Sequence, residues 1–155
     1  MRLESNQSAP QFSAKNQNDE KVSLNDFKDK FIVLYFYPKD MTKGCTIEAN
    51  EFSSLFDEFE KLNAIIIGVS PDSINSHQKF IKKENLKHIL LSDEDKTISK
   101  LYGVWEKKSM YGREYMGIVR STFIIKNRVI LEALYNVKSS AHAQKVLDIL
   151  KKYAK

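Results

Sequence analysis

Two uninterrupted apolar runs, residues 31–37 (FIVLYFY) and 64–69 (AIIIGV), constrain the fold of this chain more than any other feature. Neither alternates with polar residues, so each reads as a strand covered on both faces, the condition of a parallel sheet. Between them Phe52, Leu55, Phe56, Phe59 and Leu62 recur at three- and four-residue steps, with Glu51, Ser54, Asp57 and Glu58 off that face. That spacing predicts one amphipathic helix opening near Thr46. Strand, helix, strand is a βαβ unit, which crosses over right-handedly in nearly all cases. The fold class is therefore α/β.

The remaining pattern extends this unit. Residues 11–13 and 21–24 flank the polar cluster 16–20 and predict a small hairpin, with a helical turn opening at Ser23. A helix is expected from Ile74 to Glu84, started by Pro71, Asp72 and Ser73 and burying Phe80 and Ile81. A short strand at 89–91 follows, then a helix capped by residues 92–95 and ending near Gly103. Residues 103–119 show no period and read as a long loop or partial strands. Strands at 122–125 and 129–135 form a hairpin across Lys126, Asn127 and Arg128, and a last helix runs from Ala141 to Tyr153. With no internal repeat and no linker, residues 1–155 are expected to form one domain.

Several function classes lose support at this stage. The net charge of +5 comes from 25 basic residues interleaved with 20 acidic ones, which describes a solvated surface and not a nucleic-acid footprint. No apolar run approaches the ~20 residues of a membrane span, and the first residues lack the apolar core of a signal peptide, so a cytoplasmic location is expected. His77, His88 and His142 form no i, i+4 pair and are expected on helix surfaces or at core edges, with no metal site and no cofactor. Residues 93–95 lack the further ligands of a calcium loop. No Gly-x-Ser-x-Gly elbow and no nucleotide fingerprint is present.

Cys45 remains, the only cysteine. A lone cysteine is commonly a small buried hydrophobe, but this one lies beyond the carboxyl end of the first apolar strand, where open α/β sheets bind ligands. It also opens a helix, whose unpaired N–H groups and dipole favour thiolate over thiol. Its neighbours Thr42, Lys43, Gly44 and Thr46 are polar or small, unlike the lining of a core thiol.

The segment Pro38-x-x-x-Thr42-x-x-Cys45 resembles the active-site signature of peroxiredoxins, and residues 35–40 (YFYPKD) with Gly44, Cys45, Thr46 and Glu48 resemble the bacterioferritin-comigratory, or Q-type, subfamily. Ala9, Pro10 and Phe12, residues 91–94 (LSDE), 102–105 (YGVW), and the stretch of Gly117, Ile118 and residues 120–123 (RSTF) extend the likeness almost end to end. The resemblance implies a thioredoxin-like fold, a central mixed β-sheet flanked by helices with an N-terminal β-hairpin extension. It further implies thiol-dependent reduction of hydrogen peroxide and organic hydroperoxides. By the same resemblance Cys45 is the nucleophile, Thr42 hydrogen-bonds the sulfur and the peroxide, Arg120 holds the thiolate and polarises the O–O bond, Pro38 shapes the pocket, and Glu48 orients Arg120.

Two departures stand out. Many Q-type members carry a resolving cysteine five residues after the first; here that position is Asn50, and no second cysteine exists. Oxidised Cys45 must then stop at sulfenic acid until an external thiol (thioredoxin, glutaredoxin or a small thiol) attacks it. Lys43 replaces the proline common before the Gly-Cys pair. A peroxide sensor or oxidation-triggered chaperone would use the same oxidation without turnover. The resemblance favours a monomer, and the aromatics between 102 and 115 offer a dimer face as the other arrangement.

Overall fold

A computed structural model describes residues 1–154. Five of the seven strands of the main sheet are β1 (Ser13–Asn16), β2 (Lys21–Ser23), β3 (Phe31–Phe36), β4 (Ala64–Ser70) and β5 (Ile89–Ser92); the others are β8 (Ser121–Lys126) and β9 (Val129–Leu134). β6 (Trp105–Met110) and β7 (Arg113–Ile118) form a separate ribbon. The main order is β2-β1-β5-β4-β3-β8-β9. β3, β4 and β5 are parallel, while β8, β9, β1 and β2 pair antiparallel, so the N-terminal hairpin extends one edge. The helices are α1 (Lys43–Ser54), α2 (Phe56–Lys61), α3 (Ile74–Glu84), α4 (Thr97–Leu101) and α5 (His142–Tyr153), with a 3-10 turn at Leu24–Phe27.

The continuous apolar runs are explained by two cores. Val33, Tyr35 and Tyr37 turn to one face, against Phe52 of α1, Phe59 of α2, Phe80 of α3 and Val146, Leu147 and Leu150 of α5. Ile32, Leu34 and Phe36 turn to the other, against Phe12, Ile98, Tyr102 and Phe123. With both faces buried, alternation disappears from β3, and each such side chain contributes roughly 1.5–3 kcal/mol.

Three expectations need correction. The helix from Thr46 to Leu62 is two helices, because Ser54 Oγ donates to the Glu51 carbonyl at 2.8 Å. The Leu55 N–H must share that same carbonyl and reaches Phe52 as well. Such side-chain competition bends helices. Residues 103–119 hold an ordered hairpin, closed by Tyr111 and Gly112 at φ +53° and +78°. Two positive values mark a type I′ turn, which glycine eases at its second position. Finally, all three histidines are buried, as is Tyr102, whose hydroxyl donates to the Pro10 carbonyl at 2.7 Å. Tyr111 and Tyr115 are exposed. Among the described residues, no helix is long and apolar enough to cross a membrane.

Candidate active site

β3 ends at Phe36, and the chain turns through residues 37–42 before α1 begins. Thr42 is the N-cap residue, extended at φ −85° and ψ 160°, and its carbonyl accepts the first helical bond from Thr46 at 2.9 Å. Cys45 is therefore the third helical residue, within the turn whose N–H groups lack helical partners and whose dipole is positive. The thiol is only 2 % exposed and borders the apolar cluster of Tyr35, Ala49 and Phe52. This corrects the expectation of a polar surround, for the sulfur lies where the core meets the charged site.

Arg120 supplies that charge. It immediately precedes β8, the antiparallel neighbour of β3, so the sheet itself brings positions 45 and 120 together. Its Nη2 donates to Cys45 Sγ at 3.4 Å and its Nη1 to Glu48 Oε1 at 2.6 Å. Burial works against the charge of Arg120, but Glu48 and Cys45 outweigh it and hold the guanidinium above its ordinary range. Glu48, one turn beyond Cys45, is wholly buried, and burial pushes its pKa up to about 7 against the pull of Arg120. Its Oε2 has no hydrogen-bond partner among the described residues. Gly44 leaves room for Arg120, since a Cβ there would stand 3.3 Å from Nη2.

Pro38 and Arg120 line one cleft of about 480 Å³ with Val119, Asn136, Val137 and residues 106–109 of the β6–β7 ribbon. Thr42 stands apart from the expected contact. Its hydroxyl donates to the Lys39 carbonyl at 2.8 Å, across the turn, and not to the sulfur. Asn50 is exposed and joins α1 to α3 through Glu84 at 3.0 Å. Sequence reasoning brought Cys45, Arg120 and Glu48 together and missed the histidines. Expected on a helix surface or at a core edge, His77 instead stands buried 2.7 Å from Asp40, and ligand atoms of Asp40, Asp72 and His77 lie within 4.8 Å of one another. The available signal was the position of His77 one turn before Phe80, on the buried stripe of α3.

Comparison with known proteins places this geometry. Residues 5–134 match the AhpC/TSA family. The Bcp protein of Helicobacter pylori strain J99 is 55% identical over 150 residues, covering 96% of this chain and 99% of that one. Peroxiredoxin Bcp of Bacillus subtilis strain 168 is 46% identical over 152 residues, covering 97% of each. A structure of the Xanthomonas campestris bacterioferritin comigratory protein, described for its alkyl peroxide reduction activity, superposes with a TM-score of 0.88 at 37% identity, covering 93% of this chain and 92% of that one.

Proposed function

The chain belongs to the AhpC/TSA family, among its Bcp or Q-type peroxiredoxins, and on that premise we propose that it is a one-cysteine peroxidase working through Cys45. The observation that carries the reading is the guanidinium of Arg120, bonded at once to the chain's single sulfur and to the buried Glu48.

The thiolate of Cys45 attacks the terminal oxygen of a hydroperoxide. An S–O bond forms, the O–O bond breaks, and the departing alkoxide or hydroxide takes a proton from water. Sulfur is oxidised by two electrons and the peroxide is reduced to alcohol or water. Donors fixed on the charge that grows in this step stabilise the transition state above the ground state. Arg120 fills that role, and Glu48 holds it there. Thr42, its own proton donated to the Lys39 carbonyl, offers Oγ1 as an acceptor for the peroxide O–H. Pro38 forms the wall of the cleft beside Arg120.

With one cysteine in the chain, an external thiol then attacks the sulfenic acid, releasing water and leaving a mixed disulfide. A second thiol releases Cys45. The absence of an internal partner for Cys45 suits a reducing compartment such as the cytoplasm, with thioredoxin, glutaredoxin or a small thiol as reductant, and the Q-type likeness supports a single-domain monomer over a dimer. Hydrogen peroxide and organic hydroperoxides are the substrates, the latter supported by the alkyl peroxide activity named for the Xanthomonas relative.

The test is peroxide consumption with excess thiol by wild type, Cys45→Ser and Asn50→Ala. Wild type turns over, the serine variant does not, and the alanine variant keeps the first oxidation step. Retained turnover in the serine variant ends this reading. A single stoichiometric burst from wild type, with each thiol in turn, makes the protein a sensor instead.

A further inference from the structure

Behind the turn that joins β3 to α1 lies a buried polar cluster the reaction does not touch. Asp40 Oδ1 accepts from the Tyr37 hydroxyl at 2.6 Å. Its Oδ2 accepts from Ser76 Oγ at 2.8 Å and stands 2.7 Å from His77 Nδ1. The other ring nitrogen of His77 lies 2.9 Å from the Leu91 carbonyl oxygen. A carbonyl oxygen only accepts, so Nε2 donates to Leu91, while Nδ1 faces a carboxylate that also accepts from two hydroxyls. His77 is clamped between Asp40 and the Leu91 carbonyl, with the His77 and Asp40 side chains 0% and 1% exposed.

The same turn is fastened through its backbone. The Asp40 N–H donates to Asp72 Oδ2 at 2.8 Å, an oxygen that Ser70 Oγ also holds at 2.6 Å. Next along the chain Met41 sits at φ +63°, a left-handed conformation that a methionine keeps only when its flanks are fixed. Both oxygens of Asp40 and both ring nitrogens of His77 are engaged, so the cluster is built as a fastening and not as a cation site.

We propose that His77 is a positioning residue for peroxide reduction, acting through Asp40 to hold the Pro38–Thr42 turn in register with the sulfur of Cys45. The proposal rests on the peroxidase reading. His77 and Asp72 hold Asp40, Asp40 holds the turn, and the turn presents the Thr42 oxygen and the Pro38 wall to the substrate.

Two rates measured on one thiol test it, oxidation of Cys45 by hydrogen peroxide and alkylation of Cys45 by iodoacetamide. Alkylation needs only a reachable thiolate, whereas peroxide attack also needs the turn's groups in place. Because a 1 Å misplacement can cost about 10²-fold, His77→Gln is expected to slow oxidation about ten- to a hundredfold and to keep alkylation within about twofold. Equal losses in both rates, or an unchanged oxidation rate, overturn the proposal. If the variant does not fold, Ser76→Ala, which removes a donor to the same Asp40 oxygen, is expected to show the same split between the two rates, and equal losses or no change overturn the proposal. A wild type that consumes no peroxide sinks the peroxidase reading itself, which the variant ratio cannot do.

Discussion

Glu48 and Arg120 meet at 2.6 Å with the carboxylate wholly buried, and the second carboxylate oxygen has no partner among the described residues. Burial raises the pKa of Glu48 to about 7, Arg120 opposing. A carboxyl group raised in the folded state contributes stability that is full below its ordinary value near ~4.5 and lost as pH rises through 7. E48Q removes that loss. Between pH 5 and 8 the wild type should therefore fall against the variant by on the order of 2 kcal/mol, read by urea unfolding. Cys45 oxidation in E48Q should slow by roughly tenfold, since Arg120 keeps an oxygen acceptor but loses the charge that holds it.

Arg120→Lys replaces a fork that reaches two partners with one point charge. An ammonium cannot bond the sulfur of Cys45 and the carboxylate of Glu48 in the same geometry. Stopped-flow oxidation is expected to slow about 10²–10³-fold, the cost of removing one preorganised donor from a developing anion.

Gly44→Ala separates rate from stability. Alanine is favoured over glycine within a helix by roughly 0.5–1 kcal/mol, but its Cβ would stand 3.3 Å from Arg120 Nη2 and 3.4 Å from Ser139 Oγ. The guanidinium must shift to relieve that contact. Oxidation should slow by about tenfold, while the unfolding free energy changes by less than ~1 kcal/mol.

His88 and His142 set the acid limit of the fold. Burial pushes the pKa of His88 down to about 3, and burial with Lys145 and Arg120 pushes His142 down to about 4. Tyr35 and Ser53 hold the two ring nitrogens of His88 at 2.7 and 3.0 Å, and Thr122 holds His142 at 2.7 Å. The unfolded chain gains protons near pH ~6.5 that these rings refuse, so stability is full above that value and falls as pH drops. His88→Gln should lose about 1 kcal/mol less than wild type between pH 7 and 5.5, measured by urea unfolding at each pH.

How far residues announce structure depends on what their neighbours demand of them. β3 and β4 were legible because strands buried on both faces must be apolar throughout, and α3 because its caps and its Phe80 stripe agree. The β6–β7 ribbon was not, since from Lys107 to Met116 most of its side chains are half or fully exposed on both faces and no alternation is imposed. Its turn rests on one Tyr-Gly pair. Cys45, Arg120 and Glu48 were legible through motifs, although the bond from Arg120 to Glu48 spans 72 positions and only the folded sheet closes it. The Asp40–His77 pair was hidden, a contact across 37 residues between a loop and a helix that no motif announces.

The depth of Cys45 has a further effect on the proposed cycle. With Cys45 2 % exposed in the first turn of α1, a thiol carried on another protein demands more room at the sulfur than a small peroxide does. Stiffening Lys43 to Glu48 would thus favour the arrival of oxidant and delay the arrival of reductant.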